Sequence, residues 1–420
     1  MAAVLAFSAE SPMKLMIKKI LLGSVLSLPL FAQAGGLYLY EIGTTDLGFA
    51  GAGTAARAED ASTVYGNPAG MTRLAGNQMT VGAQALYGGV DYKVDNQGFL
   101  QQSVGGGSPG NVIGWLPGGS AFYSHSLSND LKVGIGLYGN FGLALDYGKS
   151  WAGRNLMDTS AMMAMTLQPT VAYRINERWS LGAGLTANYG IAKLERVQPV
   201  TGAKLDQSDH DWQYGARLGV MFEPSAATRI GVVWTSKVEY DFDFDRTATR
   251  RAVIGGTRTR TFAAEAGVNA PQQVMTSVYQ QLSDRWALTG NLGWQDWSQF
   301  SKNELETNNG TVTSSLRLRD TWHVALGARY QYNATTRINA GVAYDSSWYK
   351  NNNQASFTMP SSDSWRFGLG VQYTLSPKSE LGLAAEYLRA GDMRDPSQLI
   401  AGKFDNPYMV FLSAQYSYKF

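Results

Sequence analysis

The sequence contains no cysteine and only three histidines. The first absence removes disulfide staples and thiol chemistry together. The second leaves little for metal ligation or imidazole acid–base work. His125 and His323 stand apart from other ligand-type residues. Asp209-His210-Asp211 alternates along an extended chain, so acid and imidazole point to opposite faces. No serine is placed with a histidine and an asparagine to suggest a phospholipase. The chain therefore reads as a non-enzyme with no metal and no cofactor. Charged residues make up 16% of it, and a net charge of +2 gives no argument for a nucleic-acid partner. After residue 31, no apolar run approaches the roughly 20 residues a membrane helix needs.

The first residues give an address. Lys14, Lys18 and Lys19 precede an apolar stretch from Ile20 to Phe31, and Ala32-Gln33-Ala34 offers small residues at cleavage spacing. A basic start, a short apolar centre and an A-x-A site make a secretory signal, residues 1–34, with Gly35 as the first mature residue. Met13-Lys14 begins that signal naturally, so the residues before Met13 read as an upstream start.

What is abundant is glycine (47), tyrosine (22) and tryptophan (11), arranged in alternation. Trp365, Phe367, Leu369, Val371, Tyr373 and Leu375 interleave with Arg366, Gly368, Gly370, Gln372 and Thr374. Trp212 to Phe222, Leu181 to Ile191, Trp286 to Trp294 and Trp322 to Tyr332 repeat the pattern. Period two marks strands with one apolar face. Here that face is bulky and ends in Trp or Tyr, while the other is Gly, Gln, Arg and Thr. A two-layer sandwich is the alternative for any single strand. A lipid-facing exterior, a polar lumen and aromatic girdles account for all of them at once.

Short turns at 128–130, 176–178, 283–284, 333–336 and 376–379 alternate with longer polar stretches near 95–118, 146–160, 193–208, 242–270, 301–319, 350–363 and 391–406. Seven long loops and six short turns give a 14-stranded antiparallel transmembrane β-barrel over 77–420, with both termini in the periplasm. Val410, Leu412, Ala414, Tyr416, Tyr418 and the terminal Phe420 share one face. Such an end suits recognition by the outer-membrane assembly machinery. Residues 35–76 do not alternate, and their small and apolar side chains do not suit a solvated linker. We assign them to an N-terminal plug, or hatch, in the lumen.

Within that segment stand Glu41, Gly48, Ala58-Glu59-Asp60-Ala61 and Asn67-Pro68-Ala69. Further on come Gly139-Asn140-Phe141-Gly142-Leu143-Ala144, Trp151-Ala152-Gly153-Arg154, Asp211-Trp212-x-Tyr214-Gly215, Trp234-Thr235-Ser236 and Asp296-Trp297-Ser298. In these features the chain resembles the FadL/TodX outer-membrane transporters of long-chain fatty acids and other hydrophobic compounds. The resemblance implies passive transport. The ligand is captured among external loops and held in a lumen pocket near the mature N-terminus. It leaves sideways through an inward kink in the third strand, while the plug blocks the straight path. Carried over, the kink falls on Gly139, Asn140, Phe141 and Gly142, and the hatch box on Asn67, Pro68 and Ala69, with the Asn67 amide serving backbone groups freed at the kink. Gly35, Leu37, Trp151, Arg154 and Arg217 are the ligand-binding candidates, the two arginines as lumenal carboxylate partners. Glycine packing in a lumen wall is the alternative for Gly139 and Gly142. The ligand stays open between a fatty acid, a monoaromatic hydrocarbon and a terpenoid, with a porin or adhesin as other classes.

Two charged clusters remain. Arg246, Arg250, Arg251, Arg258 and Arg260 suit a carboxylate head, and equally the phosphates of lipopolysaccharide in the surrounding outer-membrane lipid. Glu239, Asp241, Asp243 and Asp245 share one side of a strand with Lys237, opposite Tyr240, Phe242 and Phe244, and balance those arginines better than they bind a cation. Nothing in the sequence calls for a second subunit, so a monomer is expected.

Overall fold

The computed structural model describes residues 40–95, 102, 105–198, 202–251, 257–307, 310–315, 318–397 and 400–420; the side chains of 244–269 and 300–317 are outside this set. The stretch 1–34 read as a signal peptide, Gly35, Leu37 and the side chains of the five loop arginines therefore lie outside the described residues.

One antiparallel sheet closes on itself. Its fourteen long strands are β1 (Gln78–Val94), β2 (Gly114–Ser126), β3 (Leu131–Asp146), β4 (Thr159–Arg174), β5 (Trp179–Val197), β6 (Lys204–Ser225), β7 (Thr228–Thr235), β8 (Gln273–Gln281), β9 (Trp286–Gln295), β10 (Thr321–Gln331), β11 (Thr336–Asp345), β12 (Ser364–Ser376), β13 (Ser379–Ala390) and β14 (Gly402–Lys419). Gly110–Asn111 and Met393–Asp395 add short flaps to it. Each strand pairs with its sequence neighbours, and β1 pairs with β14 from Gln78↔Lys419 to Val94↔Gly402, which closes the ring. The terminal Phe420 adds one more bond, from its N–H to the carbonyl of Asn77 at 3.0 Å.

The alternation has its cause in this closure. On β12, Trp365, Phe367, Leu369, Tyr373 and Leu375 are exposed, while Ser364, Arg366 and Gln372 between them are buried. Outward aromatic residues form two belts: Trp115, Trp212, Trp322 and Trp365 toward the long loops, and Tyr173, Trp179, Trp286 and Tyr332 toward the short turns. Among the described residues no helix is long and apolar enough to cross a membrane; the strands cross instead.

Several boundaries differ from those read in the sequence. Residues 193–197 and 204–208 are strand, because β5 and β6 run on past the apolar belt and there carry polar residues on both faces. Most of 242–270 is a hairpin, Val238–Arg251 paired with Thr257–Ala270, and Lys302–Thr307 pairs with Gly310–Ser315. The first hairpin turns Val238, Tyr240 and Phe242 inward and leaves Glu239, Asp241 and Asp243 exposed. A sixth tight turn, at 226–227, joins β6 to β7.

Residues 40–77 precede β1 and touch strands around the whole ring. Gly53 N–H donates to Asn291 Oδ1 on β9 (2.7 Å), Ala55 N–H to Ser277 Oγ on β8 (3.0 Å), and Thr44 Oγ1 bonds Ser413 Oγ on β14 (2.6 Å). The wall glycines permit this approach. A Cβ at Gly231 would stand 1.8 Å from the Ala55 carbonyl oxygen, and one at Gly341 1.9 Å from that of Phe49. Glycine is there because backbone passes against backbone.

Candidate functional site

The third strand is broken where its glycines allow. The β3–β4 register slips by one residue at a bulge, where Gly139 stands opposite Met165 and Phe141 opposite Ala164. On its other side β3 pairs with β2 only from Lys132↔Ser126 to Tyr138↔Ser120. Beyond that, residues 139–145 and 114–119 face each other with no pairing, until Asp146 N–H reaches the Val112 carbonyl at 2.8 Å. The result is a window in the wall. Its β2 edge reads Gly114-Trp115-Leu116-Pro117-Gly118-Gly119, where Pro117 lacks an N–H and three glycines lack side chains. The sequence pattern assigns 114–118 to the preceding loop instead.

Behind the window lies a cavity of about 940 Å³ of empty space, partly open to solvent. Ile113 and Leu143, on the two sides of the window, belong to its wall, with Val90, Leu388, Met409 and Phe411. Its polar end holds Arg366 and Asp345 beside Tyr40, Ser364 and Thr321. Arg366 is 5% exposed. Its Nε donates to Asp345 Oδ2 (2.5 Å), and its Nη1 donates to Glu41 Oε1 (2.6 Å) and Glu386 Oε1 (3.3 Å). The other oxygen of Asp345 meets His323 Nδ1 at 2.7 Å, and the His323 ring stacks on Tyr40 with centroids 4.4 Å apart. Glu41 Oε2, Glu386 Oε2 and His323 Nε2 are buried without a hydrogen-bond partner. A single guanidinium thus joins the segment before β1 to strands β11 and β13. None of these residues had been singled out as ligand-binding in the sequence. The only signal was a charged residue at a lumen-facing position of an alternating strand.

The residues that had been singled out fall elsewhere. Asn67 does not reach the bulge: its Nδ2 donates to the carbonyls of Ala55 (2.8 Å) and Val220 (3.0 Å), the latter on β6, and its Oδ1 accepts from Ala69 N–H (3.0 Å). Pro68 opens the 3₁₀ turn Pro68–Arg73, and Ala69 lies against Gly182 of β5. The contact with β3 is made below the bulge by Val64, Tyr65 and Met71, which pack with Phe122 and Tyr138. Arg217 faces the lumen, 4% exposed, with its Nη1 on Thr235 Oγ1 (2.9 Å) and its guanidinium 4.3 Å over the Tyr65 ring. Arg154 is not lumenal. It sits in the loop between β3 and β4 and donates to the carbonyls of Gly105 and Trp151. Trp151 is buried in an aromatic cluster of the long loops, against Tyr147 (4.6 Å) and Phe357 (5.6 Å), with its Nε1 on the Met157 carbonyl. Asp209 and Asp211 accept backbone N–H bonds from Asp243 and Asp241 of the hairpin, while His210 points the other way, toward Tyr189. Among the described residues no group of three or more His, Asp or Glu side chains is placed to hold a metal.

A closed ring of fourteen strands with two outward aromatic belts defines a β-barrel of the outer-membrane kind. The chain belongs to the family described as outer membrane protein transport protein (OMPP1/FadL/TodX), whose model matches residues 25–420. It is similar to the long-chain fatty acid transport protein of Salmonella typhi, 24% identical over 86% of this chain and 89% of that one. With outer membrane protein P1 of Haemophilus influenzae it shares 28% identity over 85% of this chain and 86% of the relative. Among solved structures, a Pseudomonas aeruginosa FadL homologue aligns with a TM-score of 0.79 at 17% identity, covering 91% of this chain and 99% of that one. The Pseudomonas putida toluene transporter TodX aligns at 0.70 and 16% identity, over 93% and 100%. The protein is thus an outer-membrane transport protein.

Proposed function

We propose that a hydrophobic small molecule, a long-chain fatty acid or a hydrocarbon, enters from the long loops, rests in the cavity and leaves through the window into the bilayer. The observation that carries this reading is that Ile113 and Leu143 line the cavity and also flank the unpaired stretch between β2 and β3. The relatives named for fatty acid transport and the toluene transporter among the structural neighbours support the ligand class. Each methylene kept out of water is worth about 0.8 kcal/mol, so sideways release into lipid spares the tail the periplasm, and no energy source is required.

In this reading residues 40–77 are the hatch that blocks the straight path, and their bonds to β6, β8, β9 and β14 hold it seated. Residues 1–34 direct export, Phe420 marks the chain for barrel assembly, and lipopolysaccharide surrounds a monomer. The test is uptake of labelled oleate and labelled toluene in a deletion strain and its complement. Loss of either, restored on complementation, supports the reading. Unchanged entry of both, with ion conductance in planar bilayers, points to a porin instead.

A further inference from the structure

At the polar end of the cavity one buried guanidinium is ringed by three carboxyl groups. Arg366 is the one cation among the described residues lining it, and three carboxylates already hold that guanidinium: Asp345 at 2.5 Å, Glu41 at 2.6 Å and Glu386 at 3.3 Å. Glu41 and Glu386 are each 1% exposed, and each keeps a second oxygen with no partner. The groups that face Arg366 come from every neighbouring element. They are Glu41 and Tyr40 before β1, His323 on β10 through Asp345 on β11, and Glu386 on β13. An arginine so surrounded is not an empty receptor for an anion. A carboxylate brought against it would be the fourth, in a site where burial weakens screening.

We propose that Glu41, Asp345 and Glu386 set the charge class of the ligand: the pocket takes molecules whose head is uncharged, such as alcohols, esters, hydrocarbons or undissociated acids, and discriminates against the ionised carboxylate. The inference rests on the transport reading above and deepens it. A hydroxyl or protonated carboxyl can donate to an Asp345 oxygen and accept from Arg366 without adding charge. The apolar wall of Leu388, Met409 and Phe411 receives the chain and is indifferent to the head.

The test compares 1-decanol, methyl decanoate and decanoate on the purified full-length barrel in mild detergent, by calorimetry at pH 8 and pH 5. Decanol and the ester are expected to bind roughly tenfold or more tightly than decanoate at pH 8, one like-charge contact being of that order. At pH 5, where part of the decanoate carries its proton, the gap narrows through a gain by the acid, while decanol holds its affinity. In the double variant Glu41→Gln with Glu386→Gln, decanoate gains about tenfold at pH 8 and decanol changes little. Equal affinity of decanoate and decanol for the wild-type barrel at pH 8 overturns the inference, and this comparison needs no variant. A glutamine variant that is folded by gel shift yet gains nothing for decanoate also overturns it. Failure of all three ligands to bind overturns the transport reading itself, which the two-ligand comparison keeps distinct.

Discussion

Asp146 donates its backbone N–H to the carbonyl of Val112 at 2.8 Å and so closes the top of an opening whose bottom is the Ser120–Tyr138 pair. The opening is thus framed above and below by main-chain contacts, and its width depends on how the two strands separate between them. Gly119 and Gly139 are the positions that would pair next if the ladder continued. The chain has no cysteine of its own, so cysteines placed at these two positions can be bridged cleanly by a short reducible cross-linker. The bridged barrel is expected to bind ligand normally and to lose transfer of that ligand into liposomes, with recovery on reduction. Transfer that survives bridging would sink the sideways route.

Asn67 is fully buried, and all three of its hydrogen bonds serve backbone groups. Asn67→Ala would strand the carbonyls of Ala55 and Val220 and the N–H of Ala69. A loss of about 2–4 kcal/mol is expected, from the usual cost of leaving buried groups unpaired. Because the barrel ladder is untouched, the loss should appear as faster amide exchange in residues 53–70, with the unboiled gel shift retained. Unchanged exchange there would show that the segment is held by packing alone.

Gly142→Val, which the glycine pattern suggests as a way to straighten the strand, is not the informative change. A Cβ there meets the Met162 carbonyl at 3.1 Å, on the side of β4, away from the window. Gly231→Ala is better. Its methyl would collide with the Ala55 carbonyl at 1.8 Å, whereas one at Gly139 meets nothing nearer than 3.6 Å. In planar bilayers Gly231→Ala is expected to raise ion conductance by displacing the segment inside, and Gly139→Ala to leave it low. Identical conductance in the two would separate the lumen seal from this contact.

Acid and alkali act oppositely on two buried carboxyls outside the fourteen long strands. Burial lifts Asp395 to about 6, against two backbone N–H bonds from Phe357 and Ser397 that pull it down. Its folded value is raised, so its contribution is full below the ordinary carboxylate range and is lost as pH rises through 6, a change of about 3 kcal/mol. Burial also opposes ionisation of Glu59, but the Arg329 guanidinium outweighs it and lowers the group to about 2. That contribution is present above the ordinary range and fades as pH falls toward 2. Amide exchange should therefore slow in the long loops around 355–359 and 393–397 between pH 7 and 5, while the segment near Glu59 loosens only in stronger acid. Loops that loosen on mild acidification would contradict the assignment for Asp395.

The strands were legible because a lipid-facing exterior forces period two on every crossing, as Trp365 to Leu375 shows. The glycines of the third strand were visible in the sequence, and one of them, Gly139, stands at the slip. The β2 edge facing that strand was not. Gly114 to Gly119 look like a turn-rich loop until β1 is seen to pair with them. The partners of Asn67 were hidden for a different reason: residue 220 lies far along the chain, and no local pattern couples the two. Arg366 was hidden among other lumen-facing polar residues. Only the closed ring brings Glu41, Asp345 and Glu386 to it from three separate stretches of sequence.

The glycines of the wall also restrict how this architecture can be varied by inheritance. A substitution at Gly231 is tolerable only with a matching retreat of the chain around Ala55, and one at Gly341 only with a retreat around Phe49. The inner segment and its barrel are therefore one unit of descent. A graft of residues 40–77 from a relative as distant as 24% identity would bring a backbone path fitted to another set of glycines. Recombination can exchange the long loops far more freely than it can exchange what sits beneath them.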